Sequence, residues 1–350
     1  MAVYSFLNDD DFAQIAKIYG FAGIAQATPI AEGVENSNYL LEIKPQLEGQ
    51  TPTPPLPLGE GRGEGFPSPF GRGVRGKGFN KAILTIFEGR VAAHELPYFL
   101  HLKQHLQQKN YPCPTPILTQ NGDISFMLHG KSAAIVSFLQ GKSVLQPQIQ
   151  HVEQAGEMLA KLHLAGADFA MHRANSVGLK TWQELRQKIA LQATTAQHLD
   201  WLALIDDELS HQANHPFHHL PSGIIHADFF PNNVFFDERG KLCGVIDFYF
   251  ACNDSFAYDL AIVANAWCCN EKGELLTQYF EALQQNYEKI RSLTTEETQM
   301  IPHLLRAAAL RFLLTRLHDV LYPSTDALIT PHYPEEYVRK LLHFRSKEIT

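Results

Sequence analysis

Along the first part of the chain the apolar positions change period more than once. Residues 8–18 open on Asn8-Asp9-Asp10-Asp11 and continue with Phe12, Ile15, Ala16 and Ile18 at helical spacing. That pattern predicts an amphipathic helix whose Asx side chains satisfy the first free N–H groups. Residues 27–32 and 39–44 then read as two strands around Gly33-Val34-Glu35-Asn36-Ser37-Asn38, and residues 82–87 as a third. A helix is predicted over 91–109, with Leu96, Leu100, Leu102 and Leu106 apolar and Pro112 and Pro114 closing it. Residues 124–128 and 133–138 return to strand pattern.

Past Gln140-Gly141 the regime changes to helical. Residues 148–166 place Val152, Ala155, Met158, Leu159 and Leu162 on one face, and 256–285 and 295–321 are helical as well, with Pro302 early in the last segment. One compact β element interrupts them. Residues 223–225 lead into it, and the short apolar strands 234–236 and 242–246 flank the polar loop 237–241, whose Gly240 suits a hairpin. The expected class is α+β and bilobal. A small N-terminal lobe, 1–139, has an antiparallel sheet plus a helix, and a larger, mainly helical lobe, 140–350, carries a β-hairpin.

Composition changes this picture at one place. Residues 45–80 are rich in Gly and Pro and include the near-repeat Leu58-Gly59-Glu60-Gly61-Arg62-Gly63-Glu64-Gly65. Too little apolar surface is present there to offset chain ordering, so a disordered insertion at the tip of a hairpin is expected. Elsewhere the chain has the balance of a globular protein, 45% hydrophobic and 19% charged. A net charge of −8 argues against a nucleic-acid partner. No apolar run approaches a membrane span, and no leader pattern opens the chain, so a cytoplasmic protein is expected. Five cysteines without a C-x-x-C pair read as reduced thiols, and the 17 histidines show no zinc-motif spacing.

The chemistry gathers on His226-Ala227-Asp228-Phe229-Phe230-Pro231-Asn232-Asn233 and on Asp247. Asp228 and Asn233 precede the first strand of the hairpin and Asp247 follows the second. Antiparallel strands bring those ends together, so two carboxylates and a carboxamide converge. Such an oxygen-rich set suits Mg²⁺. Phosphoryl transfer from ATP uses the same order: an Asp for the hydroxyl proton, an Asn five residues on, and a second Asp after the hairpin for metal. His226 either braces the loop or faces the substrate. The 33–38 loop is either an ordinary turn or the loop that covers phosphates, with Asn36, Ser37 and Asn38 as side-chain donors. Thr85 stands where kinases place a strand lysine, while Glu95 remains in the following helix, leaving Lys81, an arginine elsewhere, or metal and backbone donors to meet the phosphates.

These residues resemble the aminoglycoside phosphotransferase-like kinases. Within them the chain is similar to the bacterial homoserine kinases of that fold. The narrower resemblance rests on Gly33-Val34-Glu35-Asn36-Ser37-Asn38-Tyr39, Leu84-Thr85-Ile86-Phe87-Glu88, Glu95-Leu96-Pro97, Val136-Ser137-Phe138-Leu139-Gln140-Gly141 and Asp247-Phe248-Tyr249-Phe250-Ala251-Cys252-Asn253-Asp254. It continues through Tyr258-Asp259-Leu260-Ala261, Asn265-Ala266-Trp267-Cys268 and the 309–317 helix, with His226-Ala227-Asp228 in place of the commoner His-Gly-Asp. It implies ATP-dependent, Mg²⁺-assisted phosphorylation of L-homoserine, a step of threonine biosynthesis. By position Asp228 resembles the catalytic base, Asn233 and Asp247 the metal ligands, and Val136, Ser137 and Phe138 the adenine hinge. For a zwitterionic acceptor, Arg311, Arg316 and Asp259 are the candidate anchors; Arg311 and Arg316 otherwise pair structurally with Asp254 or Asp259. A kinase of another small alcohol (choline, an aminosugar, a methylthio-sugar) and a nucleotide-binding regulator without turnover are the alternatives.

Overall fold

The computed structural model describes residues 5–30, 36–45, 80–88, 92–323 and 333–346. The chain divides into two compact units, Met1–Leu139 and Gln140–Thr350.

In the first unit, α1 (Asp9–Tyr19) starts on a reciprocal cap: Asn8 Oδ1 accepts the Asp11 N–H at 3.0 Å and Asp11 Oδ2 accepts the Asn8 N–H at 2.9 Å. Gly20 ends it at φ +68°, a left-handed conformation that costs glycine little. The strands are β1 (Ile24–Pro29), β2 (Asn36–Ile43) and β3 (Lys81–Phe87), then, after α2 (Leu96–Gln108), β4 (Pro116–Ile117), β5 (Phe126–Leu128) and β6 (Lys131–Ser137). They form one antiparallel sheet in the order β1-β2-β3-β6-β4, with β5 also on β6. Ile15 and Tyr19 of α1 pack with Tyr39, Leu41, Leu84 and Ile135 in its core.

The first two strands lie about one turn of pattern earlier than expected from the sequence. Asn36, Ser37 and Asn38 belong to β2, where they pair with Phe87, Ile86 and Thr85. Their polarity hides a strand whose side chains bond to one another, as described below. The pairing of Glu42 with Lys81, and the Ile43 N–H on the Asn80 carbonyl at 3.0 Å, bring the two flanks of the Gly/Pro-rich stretch side by side. Residues 46–79 of that stretch, and Gly33, lie outside the described residues.

The second unit contains α3 (Ile149–Ala165), α4 (Leu179–Gln192), α5 (Ala196–Asn214), α6 (Phe256–Trp267), α7 (Thr277–Glu288), α8 (Thr295–Leu321) and α9 (Glu335–Ser346). The segment expected as one helix over 256–285 is two. Between α6 and α7, Asn270 Oδ1 accepts the N–H groups of Lys272 and Glu274 and Gly273 takes φ +82°, a turn that outcompetes helix. Helix α8 begins on the Thr294/Glu297 capping box and buries most of residues 304–314, Arg311 included. An apolar all-round helix of this kind belongs at a core. Helices α3 and α7 touch at Gly156, where an added Cβ would meet the Leu283 carbonyl oxygen at 2.3 Å.

Two ribbons complete the unit. In one, β8 (Val234–Phe236) pairs with β9 (Leu242–Val245), as the apolar pattern and Gly240 (φ +73°) predict. In the other, β7 (Ser222–Ile225) pairs antiparallel with β10 (Cys252–Ser255), a strand the sequence pattern did not show. β7, which leads into His226, and β9, which leads to Asp247, are thereby anchored. Among the described residues no helix is long and apolar enough to cross a membrane.

Candidate active site

The motif leaves β7 through a backbone kink. Ala227 has φ +61°, a conformation unfavourable for a residue with a Cβ, so its surroundings must hold it there. They do so from both sides. Asp259 of α6, fully buried, accepts the His226 N–H on Oδ2 at 2.8 Å and the Ala227 N–H on Oδ1 at 2.9 Å. On the opposite face Arg311 of α8 donates Nη1 to the Ala227 carbonyl at 2.5 Å. The Trp267 indole donates to the Phe229 carbonyl at 2.7 Å. Three helix-borne side chains thus fix the backbone on either side of Asp228.

Asp228 itself is half-buried and linked to Asn233: Asn233 Nδ2 donates to the Asp228 carbonyl at 2.9 Å and to its Oδ2 at 3.1 Å. Asn233 closes a short 3-10 turn, Pro231–Asn233, and its carbonyl accepts the Ile246 N–H at 2.9 Å. The Ile246 carbonyl accepts from His226 Nε2 at 3.0 Å. The next residue, Asp247, takes a left-handed backbone (φ +62°) that turns the chain out of β9. Asp228 and Asn233 therefore belong to one hydrogen-bonded knot with Ile246, the residue before Asp247.

His226 is fully buried, with Nδ1 accepting the Asp228 N–H at 3.3 Å and Nε2 bonded to Ile246. Both ring nitrogens bond within the loop, the bracing alternative of the two that the sequence leaves open. The three candidate substrate anchors each have protein partners. Asp259 has no exposed surface and is saturated by the loop and by His163 Nε2, at 3.0 Å. Arg311, 2% exposed, holds Ala227 instead of pairing with Asp254 or Asp259. Arg316 pairs with Glu336 of α9 at 2.6 Å, and Lys340 shares that carboxylate. Burial acts to raise the Glu336 carboxyl, but Lys340 and Arg316 outweigh it and bring it down to about 2.

Behind Asp259 runs a buried chain that sequence reading missed, because His163 lies 96 residues from Asp259 and 124 from Tyr287 and none of its members carries a motif. His163 of α3 bonds Asp259 through Nε2 and the Tyr287 hydroxyl through Nδ1 at 2.8 Å; Arg291 then joins Tyr287 at 3.1 Å to Glu297 at 2.9 Å. Burial pushes the His163 imidazole down despite Asp259 beside it. Burial alone would raise Asp259, yet the His163 hydrogen bond and the loop N–H groups bring it below the ordinary carboxylate range. The pair is a carboxylate facing a neutral imidazole.

In the first unit Thr85 and Asn38 face each other across β2 and β3, with Thr85 Oγ1 donating to Asn38 Oδ1 at 2.8 Å. The threonine in the lysine position thereby orients a carboxamide. Ser37 is fully buried and donates to Glu88 at 2.5 Å. Asn36, 5% exposed, accepts the Glu88 N–H. Glu88 also pairs with Lys131. Burial acts to raise this carboxyl, but the Lys131 and Ser37 hydrogen bonds lower it overall. Lys81 pairs with Glu42 at 3.3 Å. Glu95 is the N-cap residue of α2. Val136 lies opposite Ile83 in β6; Ser137 ends the strand, its N–H on the Thr115 carbonyl and its Oγ accepting the Thr115 N–H, and Phe138 follows, 39% exposed.

Comparison with known proteins agrees with this architecture. The profile of the phosphotransferase enzyme family matches residues 71–293. A homoserine kinase of Nitrobacter hamburgensis is 41% identical over 97% of this chain and 94% of its own length. A homoserine kinase of Sinorhizobium fredii is 38% identical over 99% and 95%. Among solved structures, an amicoumacin kinase in complex with AMP-PNP and Ca²⁺ superposes with a TM-score of 0.63 over 97% of this chain and 92% of that one, at 14% identity, which establishes the fold. The fold is that of the kinase-like phosphotransferases. The chain belongs to the phosphotransferase enzyme family.

Proposed function

We propose that the chain is a homoserine kinase, transferring the γ-phosphoryl group of ATP to the side-chain hydroxyl of L-homoserine to give O-phospho-L-homoserine. The observation that carries the phosphotransfer is the knot joining Asp228, Asn233 and the residue before Asp247. The acceptor follows from the relatives, which match from end to end under that activity.

Asp228 is the catalytic base in this reading. Its carboxylate is oriented by Asn233 Nδ2 and takes the hydroxyl proton as the phosphoryl group moves. Asn233 and Asp247 are the Mg²⁺ ligands. The donor set fits a hard cation: Asn233 commits Nδ2 to Asp228, leaving its carbonyl oxygen as the ligand atom, and Asp247 adds a carboxylate. Mg²⁺, when bound with ATP, neutralises charge on the transferring phosphates. The first unit (1–139) is the nucleotide-binding unit, with Val136, Ser137 and Phe138 as the adenine hinge and Asn38, held by Thr85, as a phosphate donor. The second (140–350) holds the catalytic and acceptor sites. Substrates of this kind place the enzyme in the cytoplasm.

The test is coupled ADP release with L-homoserine, L-serine, choline and an aminoglycoside, on wild type and Asp228→Ala. Homoserine is expected to be the preferred acceptor, with turnover lost by roughly a thousandfold in the variant. Turnover of another acceptor alone removes the named substrate; turnover surviving Asp228→Ala removes the mechanism.

A further inference from the structure

Helices α5 and α8 carry three imidazoles to one place. His211 stands in the last turn of α5, His215 is the residue that caps its C-terminus four positions on, and His303 reaches them from α8. One ring nitrogen of each lies within 4.8 Å of the other two. His211 Nε2 is 3.0 Å from His303 Nδ1, and the rings of His215 and His303 stack with centroids 4.0 Å apart. The two helices are already clamped around the trio. Gln212 donates to the His303 carbonyl at 3.1 Å, and Arg306 of α8 pairs with buried Glu208 of α5 at 2.6 Å.

We propose that His211, His215 and His303 form a binding site for a borderline transition-metal ion, zinc foremost, that staples α5 to α8. Imidazole nitrogen suits such ions, and three protein ligands plus water make a four-coordinate shell. Tetrahedral zinc with bonds of about 2.0–2.1 Å sets its nitrogens about 3.4 Å apart. To aim their in-plane lone pairs at one point, the half-buried rings turn out of two stacks, His215 on His303 and His211 on His215, whose centroids lie 4.0 and 4.2 Å apart. His215 is prepared for this: its Nδ1 bonds the His211 carbonyl at 2.8 Å, which makes Nε2 the lone-pair nitrogen.

The nearby cations are balanced, Arg306 by Glu208 and Arg345 by Asp207. The position also gives the staple a task. His303 follows Pro302, which lacks the N–H that a helix interior needs, so α8 is locally weakened there. Eight residues on, the same helix presents Arg311 to the catalytic loop. A metal joining the helices at this point firms the element that carries Arg311.

The experiment is calorimetric titration of metal-stripped full-length enzyme with ZnCl₂ in saturating Mg²⁺, alongside thermal melting. Wild type is expected to bind one equivalent with micromolar or tighter affinity, and its melting midpoint to climb with zinc concentration. Co²⁺ bound in place of Zn²⁺ should show the intense visible bands of a four-coordinate nitrogen site. His303→Ala and His215→Gln should each weaken binding at least about a hundredfold and abolish the thermal rise. His218→Ala/His219→Ala, which alters exposed histidines outside the trio, should retain both. His215→Gln carries the test if His303→Ala fails to fold. Absence of saturable one-equivalent binding in wild type, or binding that persists in these variants, overturns the site.

Discussion

Replacing Asp259 with asparagine preserves its shape and changes what three donors find. In the wild type Oδ2 accepts from the His226 N–H and His163 Nε2, and Oδ1 accepts from the Ala227 N–H. An asparagine with its oxygen at the Oδ2 position keeps two of these and turns an NH₂ group toward the Ala227 N–H. The other orientation loses two. At best, one charge-assisted hydrogen bond disappears, worth about 1.5–3 kcal/mol, and a buried donor is left facing a donor. The expected loss of stability is about 2–4 kcal/mol, read from urea unfolding monitored by tryptophan fluorescence. Catalysis should suffer separately, because Asp228 is the next residue along the chain. A displacement on the order of 1 Å there costs about a hundredfold in kcat. The split between parameters is diagnostic: a bracing residue lowers kcat and leaves KM for homoserine and ATP within about threefold, whereas a substrate anchor would raise KM for homoserine. A variant with wild-type stability and kcat would refute the bracing role, and a pure KM effect would restore Asp259 as an anchor.

Gly156→Ala places a methyl group 2.3 Å from the Leu283 carbonyl oxygen, so α3 and α7 must separate; a loss of about 2–3 kcal/mol in urea unfolding is expected. His163 has a folded pKa below its unfolded value of about 6.5, so the unfolded chain binds its proton first and stability falls as pH drops below about 6.5. His163→Gln, which still donates to Asp259 without titrating, should flatten part of that fall in melts between pH 5 and 7. The lowered Asp259 carboxyl adds a loss only at more acid pH, below the ordinary carboxylate value. Replacing residues 46–79 by a short Gly-Ser turn keeps the Glu42–Lys81 register, so kcat/KM should stay within about twofold; a large loss would give that segment a role. Ala227→Gly relieves about 1 kcal/mol of backbone strain but forfeits a buried methyl of about 0.8 kcal/mol and adds unfolded-state entropy, so its melting midpoint should barely move.

How much could be read beforehand depended on whether the physics was local. The β8–β9 hairpin was legible because two short apolar runs and a turn glycine sit within about a dozen positions, and its antiparallel pairing is as expected. Helix α8 was legible to the residue because its capping box and apolar stretch are contiguous. The β2 strand was misplaced by three residues because Asn36, Ser37 and Asn38 look like a turn. What makes them strand is distant: Thr85, Glu88 and, through Glu88, Lys131 supply partners that let polar side chains be buried. The histidine trio was missed for the same reason. His211 and His215 are one turn apart in sequence, but the third ring arrives 88 residues after His215, from a separate helix.

The candidate anchors follow a related rule. Arg311, Arg316 and Asp259 were singled out as charges on apolar helices, where an unpaired charge is costly and a ligand is one way to pair it. The structure shows the commoner solution for two of them, a backbone partner. Asp259 receives the N–H groups and Arg311 serves the carbonyl of a peptide segment held at Ala227 in a conformation it would not otherwise keep. An αL alanine beside Asp228 leaves its own N–H and C=O without regular secondary-structure partners, and the buried ionic side chains meet that demand. Buried charge on α6 and α8 is therefore the counterpart of backbone strain in the loop, and each explains why the other is tolerated.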